Sequence, residues 1–423
     1  MARILVSQHY SRNMGNVSLL YTLVEALKEE LPEAKITVGS FEPDETRKLF
    51  DYDCCEWPFV TRHLVDRKGA KRVLAGLVEL SLIVMQIMAA VAVRLRFAKV
   101  EQLRGRLRPL GIICESDVVI SPGGHLFTSF NPFIGVCAHF FPCFLAWIVE
   151  TPYVVIGQTL GPFFGLWRHP DAMITSFLLR KASYVSTREY SSFENLGEYG
   201  IPTEKIKKTS ELVFLYPEEP KDGEKAVAND QAEVLGITFH HIYYKYWMTT
   251  EDYVQRMSDF LRRVTDRFDF SVKFISMEKS YKGRGDGSLL KLIKSRLPEE
   301  LDIELVNVDM GAKKVLDIFG GLDFLCATKT HSVVYGLRKA VPTLAVAYDP
   351  KTLEFMKEFH VERYSIPLKD FDSEEAYKRF SELVMNKNRV KRELASALPR
   401  VQMEALANIH AINATLERQT STP

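Results

Sequence analysis

CATKTHSVVYGLRKAVPTLAVAYDPKT, residues 326–352, is the stretch whose reading decides the fold. An apolar run stops abruptly at Lys329, Thr330 and His331, a helical stretch follows, and a second apolar run stops at Tyr348, Asp349, Pro350 and Lys351. Strand, helix and strand in that order predict a parallel sheet. In open parallel sheets, ligands sit outside the carboxyl ends of the strands, where loops meet helix N-termini. Charges placed where two buried strands stop therefore mark a candidate site.

The same alternation runs outward in both directions. RILVSQ, KITVGS, SDVVISPGG, PYVVIGQTLGP and ASYVSTRE precede residue 216, and VLGITF, FSVKFIS, DIELVNV, DFLCA and PTLAVAY follow residue 232, each run trailed by a helix-length segment. Residues 216–232, YPEEPKDGEKAVANDQA, are polar and without period, which places a linker there. The expected organisation is an N-terminal α/β lobe over 1–215, a C-terminal α/β lobe over 233–400, and a helix and tail over 401–423. Two such lobes in tandem imply Rossmann-like, doubly wound domains facing a cleft.

Composition agrees with this class. A chain of 423 residues with 46 % apolar content can fill two cores. Lys and Arg number 55 against 54 Asp and Glu, a balance that carries no nucleic-acid footprint. The six cysteines lack Cys-x-x-Cys spacing and lie mostly in apolar runs, as reduced core thiols of a cytoplasmic protein do. The first residues read directly as a strand, without the pattern of a signal peptide.

Residues 73–93, VLAGLVELSLIVMQIMAAVAV, break the alternation: they are long enough to span a bilayer and carry basic residues on both sides. Spanning is rejected, because the strands before and after should share one sheet. Glu79 and Gln86 inside the segment fit a helix lying in a membrane surface or a dimer interface; an ordinary buried helix is the other reading.

Five strand ends carry unusual chemistry. In SRNMGNVSLL, Asn13, Gly15 and Asn16 turn the chain into a helix whose amides could meet an anion, or simply form a capped turn. In SDVVISPGG, Gly123 and Gly124 permit close approach by a ligand; neither a dinucleotide-binding nor a phosphate-loop motif is present. Gln158 in VIGQTLGP and Arg188 in VSTREY end two further strands, Arg188 either as an anion ligand or as half of an Arg–Glu bridge. At the fifth, Lys329 and His331 stand near the amino end of a helix, so a cation, a titratable imidazole and a helix dipole converge. The ten histidines show no metal-ligand spacing, and no metal is expected.

NMGN, SDVVISPGG, GQTLGP, TREYSSFENLGEYGI and TKTHSVVYGLRKAVPTLAVAYDPKT, in that order, resemble the polysaccharide pyruvyl transferase family over most of the chain. The resemblance implies a GT-B-like fold and transfer of pyruvate from phosphoenolpyruvate, as co-substrate with no further cofactor, to a sugar as a ketal. It implies that Lys329 and His331 occupy the family's Arg-x-His block at the donor, with Asp349 and Lys351 in the block that follows. Lys329 stands for an arginine there, His240 for a second arginine after the first strand of the second lobe, Asn16 for an acidic residue and Glu211 for an aspartate. The expected roles are His331 as acid with Lys329 beside it as donor-anion ligand, and Asn16, Gly123, Gly124, Gln158, Arg188, His240, Asp349 and Lys351 as substrate-binding residues. The expected acceptor is a glycan or lipid-linked sugar, handled by a cytoplasmic protein peripheral to the inner face of the membrane, with self-association left open. A nucleotide-sugar glycosyltransferase and a non-catalytic family member are the alternatives.

Overall fold

The apolar runs of the first half become β1 (Arg3–His9), β2 (Lys35–Ser40), β3 (Asp53–Glu56), β4 (Val118–Ser121), β5 (Gly124–Phe127), β6 (Tyr153–Leu160), β7 (Tyr184–Thr187) and β8 (Ile206–Lys208). They lie in the order β3-β2-β1-β4-β6-β7-β8, with β5 added against β6, and pair in parallel. β4 and β6 are buried along their whole length, which is why they read as unbroken apolar runs rather than alternating ones. The computed structural model describes residues 1–9, 13–57, 69–217, 232–240, 246–278, 286–307 and 312–420.

The second half builds another parallel sheet from β9 (Glu233–Thr238), β10 (Phe270–Ser276), β11 (Ile303–Asn307), β12 (Phe324–Ala327), β13 (Thr343–Ala347) and β14 (Ser365–Pro367), in the order β11-β10-β9-β12-β13-β14. The order runs one way from β9 to β11 and the other way from β12 to β14. The switch point therefore falls between β9 and β12. Helices cover this sheet by burying residues at helical spacing. Thr250–Arg267, opened by a capping box between Thr249 and Asp252, buries Tyr253, Val254, Met257, Phe260, Leu261 and Val264.

Two compact units result, and they differ from the contiguous segments expected from the sequence. One comprises Met1–Ser11, Leu19–Leu215 and Glu404–Pro423; the other Arg12–Ser18 and Tyr216–Met403. Most of the expected linker, 218–231, lies outside the described residues. Long-range polar contacts account for the exchanged pieces. Met14 N donates to Met277 O at 3.3 Å, holding the first turn after β1 in the second unit. At the other end, buried Asn408 donates to Thr209 Oγ1 at 3.1 Å and accepts from Ser186 Oγ, holding the C-terminal residues in the first unit. The terminal helix expected over 401–423 begins earlier, as the single helix Lys387–Thr420, and is preceded by helix Ser373–Met385.

Helix Ala70–Arg94 excludes the ordinary-buried-helix reading of residues 73–93, since Val73, Leu74, Leu77 and Met88 are all at least 60 % exposed. All six cysteines are unpaired, and burial pushes the Cys326 thiol up to about 12. Asn408→Leu should leave Ser186 and Thr209 without their buried partner and lower unfolding stability by about 1–3 kcal/mol in chemical denaturation. An unchanged midpoint would show that the C-terminal residues do not hold the first unit.

Candidate functional site

The carboxyl ends of β10, β9, β12 and β13 are neighbours at one edge of the second sheet, and each delivers a polar side chain. Glu278 follows β10, His240 follows β9, Lys329 and His331 follow β12, and Tyr348, Asp349 and Lys351 follow β13. His240 and Lys329 thus stand on either side of the switch point, where ligands of open α/β sheets bind.

Lys329 is the N-cap residue of helix Thr330–Arg338, with extended backbone and no side-chain capping bond. Its ammonium is turned to two carboxylates: Asp286 Oδ2 at 2.6 Å and Glu278 Oε2 at 3.1 Å. The lysine side chain is 7 % exposed and that of Asp286 0 %, so this is a buried ion pair. Asp286 opens helix Asp286–Lys294, where the dipole favours a negative charge, and also accepts from Met277 N at 3.2 Å. Lys351 is likewise held by Asp349 at 2.9 Å, while Asp349 caps helix Pro350–Glu358 by accepting from Lys351 N at 3.0 Å. Both ammonium groups expected to meet an anionic donor are thus already neutralised by carboxylates of the same unit. Among the described residues, these two cations stand against three carboxylates.

His331 occupies the first turn of its helix and lies against the chain's own backbone. A Cβ built on Gly15 would stand 2.2 Å from His331 Nδ1, so only a glycine lets the Asn13–Asn16 turn lie flat on the ring. The turn is held in place by several bonds. Asn13 Oδ1 accepts from Gly15 N at 2.9 Å, and Tyr335 Oη bonds Met14 O at 3.1 Å and Ser18 Oγ at 2.7 Å. An isolated bridge joins Asn13 to Glu278. Asn16 is half-buried on the next position of this turn. On the other side, His240 meets Tyr348 edge-on with ring centroids 5.1 Å apart, and Thr330 Oγ1 lies 3.4 Å from Tyr348 Oη and 2.8 Å from Thr352 Oγ1.

The structure thus gathers His331, Lys329, His240, Asn16, Asp349 and Lys351 in one unit and places Gly123, Gly124, Gln158 and Arg188 in the other. The latter four are engaged internally. A Cβ on Gly123 would approach Gly157 O to 3.1 Å, and Gly124 has φ +153 as it pairs with Gln158, so these glycines allow close approach of the protein's own strand. Gln158 is buried, with Nε2 bonded to Pro122 O. Arg188 is buried, pairs with Glu211, lies 3.5 Å from Glu189 and donates from Nε to Thr159 Oγ1 at 3.0 Å. It takes the bridging role of the two weighed from the sequence.

Sequence reasoning missed Glu278, Asp286, Gly15's contact with His331, and Tyr335. Glu278 ends β10 in FISMEKS and carries the same strand-end signal as the others. Asp286 sits in GRGDGS, which reads only as a loop. Among the described residues, no three His, Cys, Asp or Glu side chains gather as a metal site.

Two parallel α/β units of this kind define a GT-B-like fold, and solved structures share it. The S. aureus MnaA–UDP structure superposes with TM-score 0.61 at 12 % identity, covering 100 % of this chain and 99 % of that one. UDP-GlcNAc 2-epimerase of Neisseria meningitidis bound to UDP-GlcNAc gives 0.58 at 12 %, covering 99 % and 100 %. Anabaena HepE in complex with UDP-glucose gives 0.58 at 14 %, covering 100 % of both chains. At these identities the likeness is one of fold. No curated protein matches the sequence. The polysaccharide pyruvyl transferase family model matches residues 13–350, most of the chain, and the protein belongs to that family.

Two measurements test this geometry. Gly15→Ala should lower stability by about 1–3 kcal/mol through overpacking against the imidazole. Much of that loss should vanish in the Gly15→Ala, His331→Ala double variant, a coupling that independent sites would not show. Lys329→Ala should cost about 3–5 kcal/mol by leaving Asp286 buried without its counter-ion. Adding Asp286→Asn should restore part of it; a Lys329→Ala protein that melts normally would free the lysine for ligand binding alone.

Proposed function

We propose that this chain moves pyruvate from phosphoenolpyruvate to a sugar of a cell-surface glycan precursor, forming a ketal, in the cytoplasm. The reading is supported by membership of the pyruvyl transferase family. The observation that carries it in the structure is His331 at a helix N-terminus, beside the sheet's switch point and braced by the Asn13–Asn16 turn.

In this reading His331 gives a proton to the methylene carbon of the enol, and an oxocarbenium-like centre develops at the neighbouring carbon. A sugar hydroxyl attacks that carbon, and its proton replaces the one His331 gave. A second hydroxyl of the same sugar forms the other C–O bond as the bond to phosphate breaks, and its proton leaves with the phosphate. The reaction balances with phosphoenolpyruvate and the sugar alone. The Thr330–Arg338 helix N-terminus supplies amide donors for the anion, and His240 stands across the switch point to offset its charge. Lys329, held by Asp286 and Glu278, fixes the start of that helix.

A second reading, nucleotide-sugar chemistry, draws on structural neighbours solved with UDP, UDP-GlcNAc or UDP-glucose. Phosphate release from phosphoenolpyruvate in the presence of glycan acceptors supports the first reading; nucleotide release from UDP-sugars with none from phosphoenolpyruvate supports the second. Under the first, His331→Ala should lower turnover by roughly 10²–10⁴-fold with the melting transition retained. A destabilised His331→Ala protein whose folded fraction turns over normally removes the acid assignment.

A further inference from the structure

We propose that the outer face of helix Ala70–Arg94 is an interfacial membrane-binding surface that seats the protein in the plane of an anionic lipid bilayer. A helix on a water-soluble unit buries its apolar stripe and exposes its polar one. This helix exposes a broad apolar side instead. The side packed on the unit carries Ala75, Glu79, Ile83, Gln86, Ile87 and Ala90, so both polar residues of the segment point to protein along with part of its apolar surface. The outward side carries Leu74, Leu77, Val84 and Met88, with Phe97, 84 % exposed, just beyond the helix.

Spanning is excluded by the chain path. The helix runs between β3, which pairs with β2, and β4, which pairs with β1, all in one sheet. One flank also lies on helix Phe133–Ile148 of the same unit, so lipid can reach only the other. A broad apolar face left open on one side of a helix that is docked on protein by the other is the geometry of a helix lying in the interface.

Charge selects the lipid over a second copy of the chain. Lys71 stands in the first turn of the helix, and Arg96, Lys99, Arg104 and Arg106 follow its end, all exposed; Glu101 is the one acidic residue among them. Two copies packed face to face would set basic ends against basic ends in either orientation. An anionic lipid surface complements them, and Arg and Lys beside exposed Leu95 and Phe97 match the polar–apolar boundary of a bilayer. The inference does not rest on phosphoenolpyruvate as donor.

The test uses the full chain without substrate, floated with vesicles of phosphatidylcholine or of phosphatidylcholine and phosphatidylglycerol in equal parts. The protein should float with the anionic vesicles, less so at high salt, and be stripped by carbonate. Leu77→Glu with Met88→Glu should reduce vesicle binding by roughly tenfold or more at an unchanged melting transition, because two apolar contacts become charges. Arg96→Glu with Lys99→Glu should abolish the preference for anionic vesicles. The proposal is overturned if wild-type protein floats with neither vesicle, or if it resists carbonate as an integral protein does. It is also overturned if the Leu77→Glu, Met88→Glu variant turns a dimer into a monomer in sedimentation while vesicle binding persists.

Discussion

A buried ammonium must be neutralised, and at Lys329 two carboxylates do so. Desolvating one unit charge without a partner costs several kcal/mol, so this requirement binds three distant pieces of chain: the end of β10, the start of helix Asp286–Lys294 and the end of β12. The start of helix Thr330–Arg338 is thereby fixed, and with it His331 and the face that meets Gly15. This edge of the second sheet is built around internal electrostatics before any ligand is considered. Among the described residues, Lys329 and Lys351 both face carboxylates of the same unit.

Much of the architecture was legible because periodicity is local. Doubly buried parallel strands such as β6 read as apolar runs, and amphipathic stretches such as 250–267 read as helices, without knowledge of anything distant. Strand-end charges could be placed together at one edge of the second sheet for the same reason. What did not show was pairing. Arg188 read as a candidate anion ligand beside Glu189, whereas its short partner is Glu211, 23 residues on. Lys329 read as a free cation because Asp286 stands 43 positions earlier in a stretch with no pattern of its own. The glycines at 123 and 124 signalled close approach, and at Gly123 the backbone of Gly157 on the neighbouring strand is what comes close.

The long apolar segment shows the complementary case, where composition alone misleads and placement decides. Length and apolarity fit a bilayer span, a core helix and an interfacial helix equally well. The burial of Glu79 and Gln86 against the unit, with leucines and methionine outward, removes the core-helix reading.

Asn408 and Ser186 meet across 222 residues of sequence, in a chain whose last helix begins in the second unit and ends in the first. During synthesis the first sheet is therefore complete in strands long before its polar interior can be closed by the final turns. A ribosome-bound chain must keep Ser186 and Thr209 waiting while the whole second unit emerges, so the first unit cannot finish folding as an independent N-terminal domain. Cutting the gene at the linker would separate two sheets but would not yield two self-sufficient proteins.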